Sequence, residues 1–306
     1  MIVDGVDLAV RVGSVELAAP VMTAARDGGV RHRVRAVLRP VDDRRGRHQV
    51  DRGVRVGREP GPRVHPTPQG MINAVGLQGP GIESWLAQQL PKLLDTGATV
   101  VCSIWGRSVD DYRRAADALA DAPGGVAAVE VNLSCPNLEG RGSIFAHDAA
   151  LSADVVAATA GCGRPRWAKL SPNTDRIVDV AAAVADAGAE AVTVANTLLG
   201  LVFDPETWRP ALGNGGGGLS GRAVHPVAVR AVHDVHQALP ELPIVGVGGV
   251  ASGWDAIEFL LAGASAVQVG TASFADPRAC VRVRDELAAI VAERGIHRVI
   301  DVRAVV

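Results

Sequence analysis

The residues best suited to chemistry lie close together at positions 132–137, Asn-Leu-Ser-Cys-Pro-Asn. Residues 126–131, just before them, are apolar apart from one glutamate and predict a buried strand. A cysteine flanked by two carboxamides therefore follows the end of this strand. Cys135 can take or give a proton, and Asn132 and Asn137 can bind a planar, polar, anionic ligand. The alternative is an Asn-Pro-type turn that carries a small buried cysteine.

Two glycine-rich strand ends near the C-terminus indicate a phosphate site. Residues 244–250, Ile-Val-Gly-Val-Gly-Gly-Val, are typical of a strand that runs into glycines, and residues 266–272, Ala-Val-Gln-Val-Gly-Thr-Ala, repeat the pattern. In a barrel these would be strands 7 and 8, whose end loops commonly hold a phosphate. Glycine suits this role because a Cβ would block the approach of phosphate to the backbone. Two tight turns without a ligand are the alternative.

Lys169 is one of only two lysines in the chain, and it lies near the end of the predicted inner strand 167–170. A buried ammonium group needs an anionic or electron-rich partner. A flavin ring that becomes anionic on reduction would provide one, and a protein carboxylate in a salt bridge is the alternative. Asn196 and Thr197 follow the next predicted strand, and Asn73 lies on an earlier loop. Their amide and hydroxyl groups would make the same pocket rich in neutral polar groups.

The elements that must position these side chains alternate between strand and helix from residue 64 to about residue 293. Short apolar runs, typical of parallel strands covered on both faces, predict seven strands, at 19–22, 99–104, 127–133, 167–170, 191–195, 244–248 and 266–269. Amphipathic stretches predict helices at 82–95, 109–120, 149–159, 175–187, 224–238 and 254–262. Two Ala-Gly-Ala runs predict helix C-cap glycines at Gly188 and Gly263. An eighth strand between residues 22 and 67 would close a (β/α)8 TIM barrel, an α/β fold.

The bulk composition favours one domain, residues 1–306, in the cytoplasm. A net charge of −2 gives no argument for nucleic acid or anionic membranes as partners. The four cysteines form no C-x-x-C pair, so no metal site is predicted, and a disulfide framework is not expected. No apolar run approaches the roughly 20 residues of a membrane-spanning helix. The N-terminus has no signal-like core.

Residues 26–63 differ in character from the rest of the chain. They hold 12 of its 29 arginines but only one leucine, and no lysine, isoleucine or aromatic residue. Such a run cannot bury a core strand and helix without many unpaired guanidinium groups. The composition fits a disordered basic insert that contacts nucleic acid or phosphate, or a solvated loop. A third interpretation depends on a family comparison.

The chain resembles the soluble class 1 dihydroorotate dehydrogenases over about residues 63–296 and 10–23. The motifs that carry the resemblance lie at 69–78, 131–137, 168–173, 195–200, 217–221, 246–250 and 269–272, and include Gln-Gly-Met-Ile-Asn-Ala-Val-Gly-Leu-Gln, Val-Asn-Leu-Ser-Cys-Pro-Asn and Ala-Lys-Leu-Ser-Pro-Asn. The resemblance implies an FMN-containing (β/α)8 barrel that oxidises (S)-dihydroorotate to orotate in de novo pyrimidine synthesis.

The resemblance also implies roles for individual residues. Cys135 would be the base that removes the C5 proton while the C6 hydride passes to flavin N5, and Lys169 would lie beside the pyrimidine edge of the flavin. The substrate would contact Asn73, Ala74, Val75, Gly76, Leu77, Asn132, Asn137, Asn196 and Thr197. The cofactor would contact Asn132, Lys169, Ala195, Gly221, Gly248, Gly249, Gly270 and Thr271.

Two motifs, at 195–200 and 74–78, look most like the NAD-dependent 1B subgroup. That resemblance implies a heterotetramer with a second subunit that carries FAD and a 2Fe–2S cluster. A homodimer of this chain is the alternative assembly. Two other functions stay open: a non-catalytic flavin- or phosphate-binding barrel, and another FMN barrel that acts on a dihydropyrimidine. Barrels of the second kind have a histidine at the position of Asn137 and additional cysteines that bind iron–sulfur clusters. This chain lacks those cysteines.

The chain departs from the family at residues 25–61. Family members follow Met-Thr-Ala with Ser-Gly-Thr, a helix and a strand ending in Lys-Thr or Lys-Ser, whereas this chain has no lysine before Lys92. We hypothesise that two compensating frameshifts or sequencing errors bracket this segment, whose length is about that expected. If the segment is genuine, strand 2 and an FMN contact would be lost and the barrel would be open or distorted. Ser103 also replaces an asparagine usual at its strand end.

Overall fold

A computed structural model describes residues 1–25, 45–50, 60–76, 81–134 and 144–305. The order of its elements follows the predicted alternation of strand and helix. Within these ranges, short antiparallel pieces precede and interrupt the alternating part. Three catalytic or binding predictions, on Leu77, Cys135 and Asn137, lie outside the described residues.

Eight parallel strands form one curved sheet, which is the barrel. In sheet order they are β5 (Val21–Thr23), β16 (Ala266–Val269), β15 (Ile244–Val247), β12 (Ala191–Val194), β11 (Arg166–Lys169), β10 (Val126–Asn132), β9 (Thr99–Ile104) and β6 (Arg45–Val50). Each neighbouring pair runs parallel, as the continuous apolar runs predicted. All four residues of β12, β15 and β16 are buried, because helices cover the outer face and the barrel interior covers the inner one.

The strand β6 occupies the place of strand 2, which the arginine-rich composition did not predict. Its backbone pairs with β9 from Arg45↔Thr99 to Val50↔Ile104. The structure differs from the expectation because ladder hydrogen bonds use backbone groups, which every residue except proline supplies in full. β5 and β6 are neighbours across the remaining gap, yet no hydrogen-bonded register joins them within the described ranges. The expected loss of strand 2 is therefore wrong for this structure, in which strands 1 and 2 are neighbours without backbone pairing among the described residues.

The helices pack around the sheet. They are α1 (Ile82–Gln88), α2 (Leu90–Leu94), α3 (Val109–Asp117), α4 (Ala149–Ala158), α5 (Ile177–Asp186), α6 (His225–Ala238), α7 (Gly253–Leu261), α8 (Ala272–Ala275) and α9 (Ala279–Glu293). Short 3-10 turns lie at Phe145–His147, Ala160–Cys162, Arg222–Val224 and Val299–Val305.

Local sequence explains where several of these helices begin and end. Pro91 divides the predicted helix 82–95 in two, because proline lacks the N–H that an uninterrupted helix would need at that point. Gly188 and Gly263 follow α5 and α7 with φ of 94° and 108°, and the predicted C-cap glycines are confirmed. Ser252 caps α7 by accepting a hydrogen bond from the backbone N–H of Asp255.

The amino ends of the strands are closed by the first residues of the chain. Two antiparallel hairpins pair β1 (Ile2–Val3) with β2 (Val6–Asp7) and β3 (Val10–Val12) with β4 (Val15–Leu17). The three valines and the one leucine of β3 and β4 are buried. At the turn between β3 and β4, the Ser14 hydroxyl donates to Oε2 of Glu190 at 2.6 Å. Glu190 immediately precedes β12. This contact fixes the hairpin at the amino end of the barrel, away from the predicted site.

A second, antiparallel sheet rises from the carboxyl ends of the strands. Its order is β13 (Leu198–Gly200), β14 (Gly217–Gly221), β8 (Gly70–Asn73) and β7 (Val64–Thr67). It brings Asn73 next to Gly218, although 145 residues separate them. Neither of its hairpins was predicted. In the described part of the chain, no helix combines the length and apolar character needed to cross a membrane.

Candidate functional site

A cavity opens at the carboxyl ends of the barrel strands, beneath the antiparallel sheet. Eleven of the residues assigned above to substrate or cofactor line it: Asn73, Asn132, Lys169, Ala195, Asn196, Thr197, Gly221, Gly248, Gly249, Gly270 and Thr271. The lining also includes Ala24, Ala25, Ser134, Ile144, Asn173, Leu199, Leu219, Ser220, Val224 and Val247. Parallel strands end at one edge of the sheet, so residues distant in the chain converge there.

The carboxamides of Asn132 and Asn196 contact each other on one wall of this cavity. Asn196 Nδ2 donates to Asn132 Oδ1 at 3.1 Å, and the backbone N–H of Ser134 donates to the same oxygen at 3.2 Å. The hydroxyl of buried Tyr112 donates to the backbone carbonyl of Asn132 at 2.6 Å. The backbone N–H of Thr197 donates to Asn196 Oδ1 at 2.8 Å. These bonds fix both side chains, and no described residue accepts from the Nδ2 of Asn132, which is available to a ligand.

Lys169 lies beside this pair with only 6% of its surface exposed. It is the last residue of β11, where its backbone is in register with Asn132 on one side and Thr193 on the other. Within the described residues no carboxylate pairs with its ammonium group, which does not support the salt-bridge alternative. Burying a charge without a partner is unfavourable by several kcal/mol or more. The geometry therefore fits a ligand that is anionic or electron-rich.

A polar layer inside the barrel supports these residues from below. Glu130, two residues before Asn132, is fully buried and accepts hydrogen bonds from Thr193 Oγ1 at 2.9 Å and from Gln268 Nε2 at 3.3 Å. Thr193 belongs to β12 and Gln268 to β16, so the carboxylate links three strands across the interior. Residues two apart on a strand point to the same face. The network thus holds the face of β10 from which Asn132 enters the cavity.

The glycine-rich strand ends form the opposite end of the cavity. Gly248 and Gly249 follow β15, and Gly270 and Thr271 follow β16, as strands 7 and 8 of the barrel. Thr271 Oγ1 donates to Ser220 Oγ at 2.9 Å. This bond ties the end of strand 8 to the strand that carries the predicted Gly221. Three segments with backbone N–H groups and little side-chain bulk therefore meet where a phosphate was predicted.

The remaining predicted contacts divide into two groups. Cys135, Asn137 and Leu77 lie outside the described residues; Ser134, the residue before Cys135, lines the cavity. Ala74, Val75 and Gly76 do not line it within the described ranges.

The backbone after Asn73 explains this second group. The N–H of Ala74 donates to the carbonyl of Arg63 at 2.9 Å, and Val75 is buried. The Nδ2 of Asn73 donates to the Gly218 carbonyl at 3.2 Å, so this side chain also holds the antiparallel sheet.

Asn173 is a lining residue to which no role was assigned, although it ends the Ala-Lys-Leu-Ser-Pro-Asn motif. Its Nδ2 donates to the Thr197 carbonyl at 2.9 Å and to Ser171 Oγ at 3.0 Å. Its Oδ1 accepts from the backbone N–H of Leu199 at 2.8 Å. Asn173 therefore anchors the segment that carries Thr197. Only its place directly after the lysine-bearing strand could have identified it from the sequence.

Two of the three described cysteines, Cys102 and Cys162, are chemically unlike a proton-transferring thiol. Burial raises the pKa of the Cys102 thiol well above its ordinary value, and the nearby Cys162 raises it further. Burial also raises the pKa of Cys162, whose thiol donates to the Arg164 carbonyl at 3.6 Å. Both stay protonated thiols at neutral pH. Neither lines the cavity.

Comparisons with known proteins agree with this geometry. Residues 8–291 match the family model described as dihydroorotate dehydrogenase. The chain is 40% identical over 297 residues to a Geobacter sp. (strain M21) protein, with 96% of each chain covered. It is 41% identical over 299 residues to a Pelobacter propionicus protein, with 96% of this chain and 97% of the relative covered. A Desulforudis audaxviator protein is 49% identical over 239 residues, 78% of this chain and 77% of the relative. All three relatives are named dihydroorotate dehydrogenase B (NAD(+)), catalytic subunit.

Proposed function

This chain belongs to the dihydroorotate dehydrogenase family, and we propose that it is an FMN-dependent catalytic subunit that oxidises (S)-dihydroorotate to orotate in pyrimidine synthesis. The observation that carries the proposal is the buried ammonium of Lys169, which faces a cavity lined by carboxamides and glycines and has no carboxylate partner among the described residues.

The chain's residues fit FMN in their chemistry. Lys169 would neutralise the ring edge that gains negative charge on reduction. Gly221, Gly248, Gly249, Gly270 and Thr271 would hold the phosphate by backbone N–H groups and a hydroxyl. Asn132 and Ala195 would contact the ring.

A buried hydroxyl beside the cavity adds to this fit. The Oγ of Ser134 is buried and has no hydrogen-bond partner among the described residues. A bound ligand would satisfy this group, which is otherwise costly to leave unpaired.

The substrate would bind through the carboxamide wall. Asn132, Asn196 and Thr197, with Asn73 at the foot of the antiparallel sheet, would hold the carboxylate and ring amides of dihydroorotate. Asn137 and Leu77 would complete this set. Neutral donors suit this task because they bind a carboxylate without raising the charge of the site.

Cys135 would act as the base that takes the proton from C5 of dihydroorotate. FMN, when bound, supplies the acceptor for the C6 hydrogen. Cys135 needs only modest basicity if Lys169 and the carboxamides stabilise the charge that develops. The high pKa values of Cys102 and Cys162 fit their exclusion from this role.

A partner subunit would take the electrons onward. The relatives are named NAD(+)-linked catalytic subunits, which supports an assembly in which a second chain meets NAD. We propose that this partner carries FAD and a 2Fe–2S cluster. The four cysteines of the present chain, without a C-x-x-C pair, are not spaced for such a cluster.

Anaerobic mixing with two substrates tests the function. The FMN-loaded chain should lose its yellow colour with (S)-dihydroorotate, with one orotate formed per flavin. Dihydrouracil, which lacks the carboxylate, should leave the spectrum unchanged. Bleaching by dihydrouracil instead would indicate a barrel for dihydropyrimidines, and a stable yellow protein with both compounds would indicate a non-catalytic flavin-binding barrel.

Substitution of the proposed base tests the mechanism. Cys135→Ser should slow flavin reduction at neutral pH by about a hundredfold or more while FMN stays bound, because a serine hydroxyl is a far weaker base. Cys162→Ser is the matched control and should reduce at the wild-type rate. Equal rates in both variants would remove Cys135 from the mechanism.

A further inference from the structure

His225 is a buried residue that the proposed mechanism does not use, yet it lies among the segments proposed to hold the phosphate. It is the first residue of α6, four residues after Gly221, and it contacts the turn that follows β15. The inference drawn from it rests on the proposed FMN site.

Both ring nitrogens of His225 face hydrogen-bond acceptors. Nδ1 lies 2.9 Å from the Gly248 carbonyl oxygen, and Nε2 lies 3.1 Å from Glu258 Oε2 on α7. A carbonyl oxygen only accepts, so Nδ1 donates to Gly248, and a proton between Nε2 and Glu258 Oε2 joins the ring to the carboxylate. Only 11% of the side chain is exposed, and Phe259 packs against it edge-on with ring centroids 5.2 Å apart.

The contact with Gly248 fixes the direction of the next peptide N–H. The Gly248 carbonyl and the Gly249 N–H belong to one planar peptide group and point in opposite directions. His225 draws the carbonyl towards α6, so the N–H is directed away from it. Gly249 lines the cavity, and its N–H is one of those proposed to meet the phosphate.

Close packing leaves this turn little other freedom. Gly249 has a φ of 70°, and a Cβ there would lie 2.8 Å from both the Gly221 carbonyl oxygen and the Cβ of His225. A Cβ on Gly248 would lie 2.5 Å from the Cβ of Ala228, in the first turn of α6. The position of the turn is thus set by packing, and the rotation of its peptide is set by the imidazole.

We infer that His225 is a positioning residue for the phosphate end of the cofactor. Its imidazole, held by Glu258, fixes the peptide between Gly248 and Gly249 so that the Gly249 N–H meets the phosphate. The selectivity of the chain for FMN over riboflavin, which lacks the phosphate, depends on this pair.

The same cluster does not favour a bound metal ion. The ligand atoms of His225, Asp255 and Glu258 lie within 4.8 Å of one another. Asp255, however, already accepts from the backbone N–H of Ala251 at 2.9 Å and pairs with Arg222 at 3.4 Å. A divalent cation there would face a guanidinium group. A proton shared by the His225–Glu258 pair satisfies the geometry without that repulsion.

Flavin binding to the flavin-free chain tests the inference. Fluorescence quenching gives Kd values for FMN and for riboflavin with the wild type, His225→Gln, Glu258→Gln and the control His233→Gln, whose histidine is exposed on the same helix. His225→Gln should weaken FMN about tenfold, the expected cost of losing one buried hydrogen bond, with riboflavin unchanged. Glu258→Gln should cause a smaller loss in the same direction, and His233→Gln none.

The outcomes separate the inference from the proposed function. If the wild type binds FMN no better than riboflavin, the phosphate site itself fails, and the role of His225 fails with it. If the wild type prefers FMN but His225→Gln and Glu258→Gln keep the same preference, only the inference is overturned. An equal loss of FMN and riboflavin in His225→Gln also overturns it, since that marks a structural role. Glu258→Gln, at a partly exposed position, keeps the test valid if His225→Gln does not fold.

Discussion

Residues 166–271 and residues 25–61 both contribute strands to one barrel, but of these two regions only the first carries site residues that the sequence predicted. Between β11 and β16 every predicted contact lies at a strand end and faces the cavity. In the second region the backbone of Arg45–Val50 forms a strand, while the serine, threonine and lysine that the resemblance led us to expect there are not in the sequence. A segment can thus pair through its backbone even when it lacks the side chains expected of the site.

The largest expected effect concerns the reading frame of the arginine-rich region. If two frameshifts bracket residues 25–61, resequencing the coding DNA should show a frame that encodes Ser-Gly-Thr and a later Lys-Thr or Lys-Ser. A chain carrying that corrected segment should gain dihydroorotate-dependent flavin reduction of about a hundredfold or more over the chain as given, because a cation beside flavin and substrate is restored. The absence of those residues in every frame would end the hypothesis.

The next largest effect tests residues 166–271 by comparing substitutions of the two lysines of the chain. Lys169→Ala should weaken FMN binding or lower the potential of the bound flavin, and slow its reduction by about a hundredfold. The cause is the loss of the cation that stabilises the reduced ring. Lys92→Ala, at an exposed position of α2, is the matched control and should behave as the wild type. A silent Lys169→Ala would point to a structural lysine.

A smaller effect is expected at the carboxamide wall. Asn196→Asp places a carboxylate beside Asn132 Oδ1, where it would repel an anionic substrate. The KM for dihydroorotate should rise about tenfold or more, with FMN binding largely kept. Asn214→Asp, in the exposed loop between β13 and β14, adds the same charge outside the cavity and should leave KM unchanged. Equal KM values in the two variants would contradict the proposed substrate position.

The smallest effect lies far from the cavity, at His236 on α6. Burial, Arg303 and His233 lower the pKa of His236 below its ordinary value. The unfolded chain therefore binds this proton more readily than the folded one, and stability falls as the pH drops below about 6.5. The melting temperature of the wild type should fall between pH 7.5 and pH 5.5 by slightly more than that of His236→Gln. His297→Gln, at an exposed position, should match the wild type; identical pH profiles in all three proteins would refute the prediction.

Sequence patterns identified the parallel strands, because buried strands of this kind are continuous apolar runs with glycine and amide residues at their ends. They also identified Gly188 and Gly263, since a helix C-cap demands a left-handed residue. The antiparallel sheet was missed because its strands have only three to five residues and because its central pair, β8 with β14, joins segments far apart in the chain. Asn173 was missed for a related reason. Its partners, Thr197 and Leu199, belong to that sheet and its approach, which no local pattern predicts.

The most direct test of the difference between residues 166–271 and residues 25–61 is the flavin content of the purified 306-residue chain. It is measured from the visible spectrum after gel filtration. The cavity formed by β10 to β16 holds most of the proposed contacts, so we expect a yellow protein with one FMN per chain. The proposed FMN site would be contradicted by a colourless protein that is folded by circular dichroism and takes up no FMN added in excess. It would mean that residues 25–61 must supply a contact that Lys169 and the glycine-rich strand ends cannot replace.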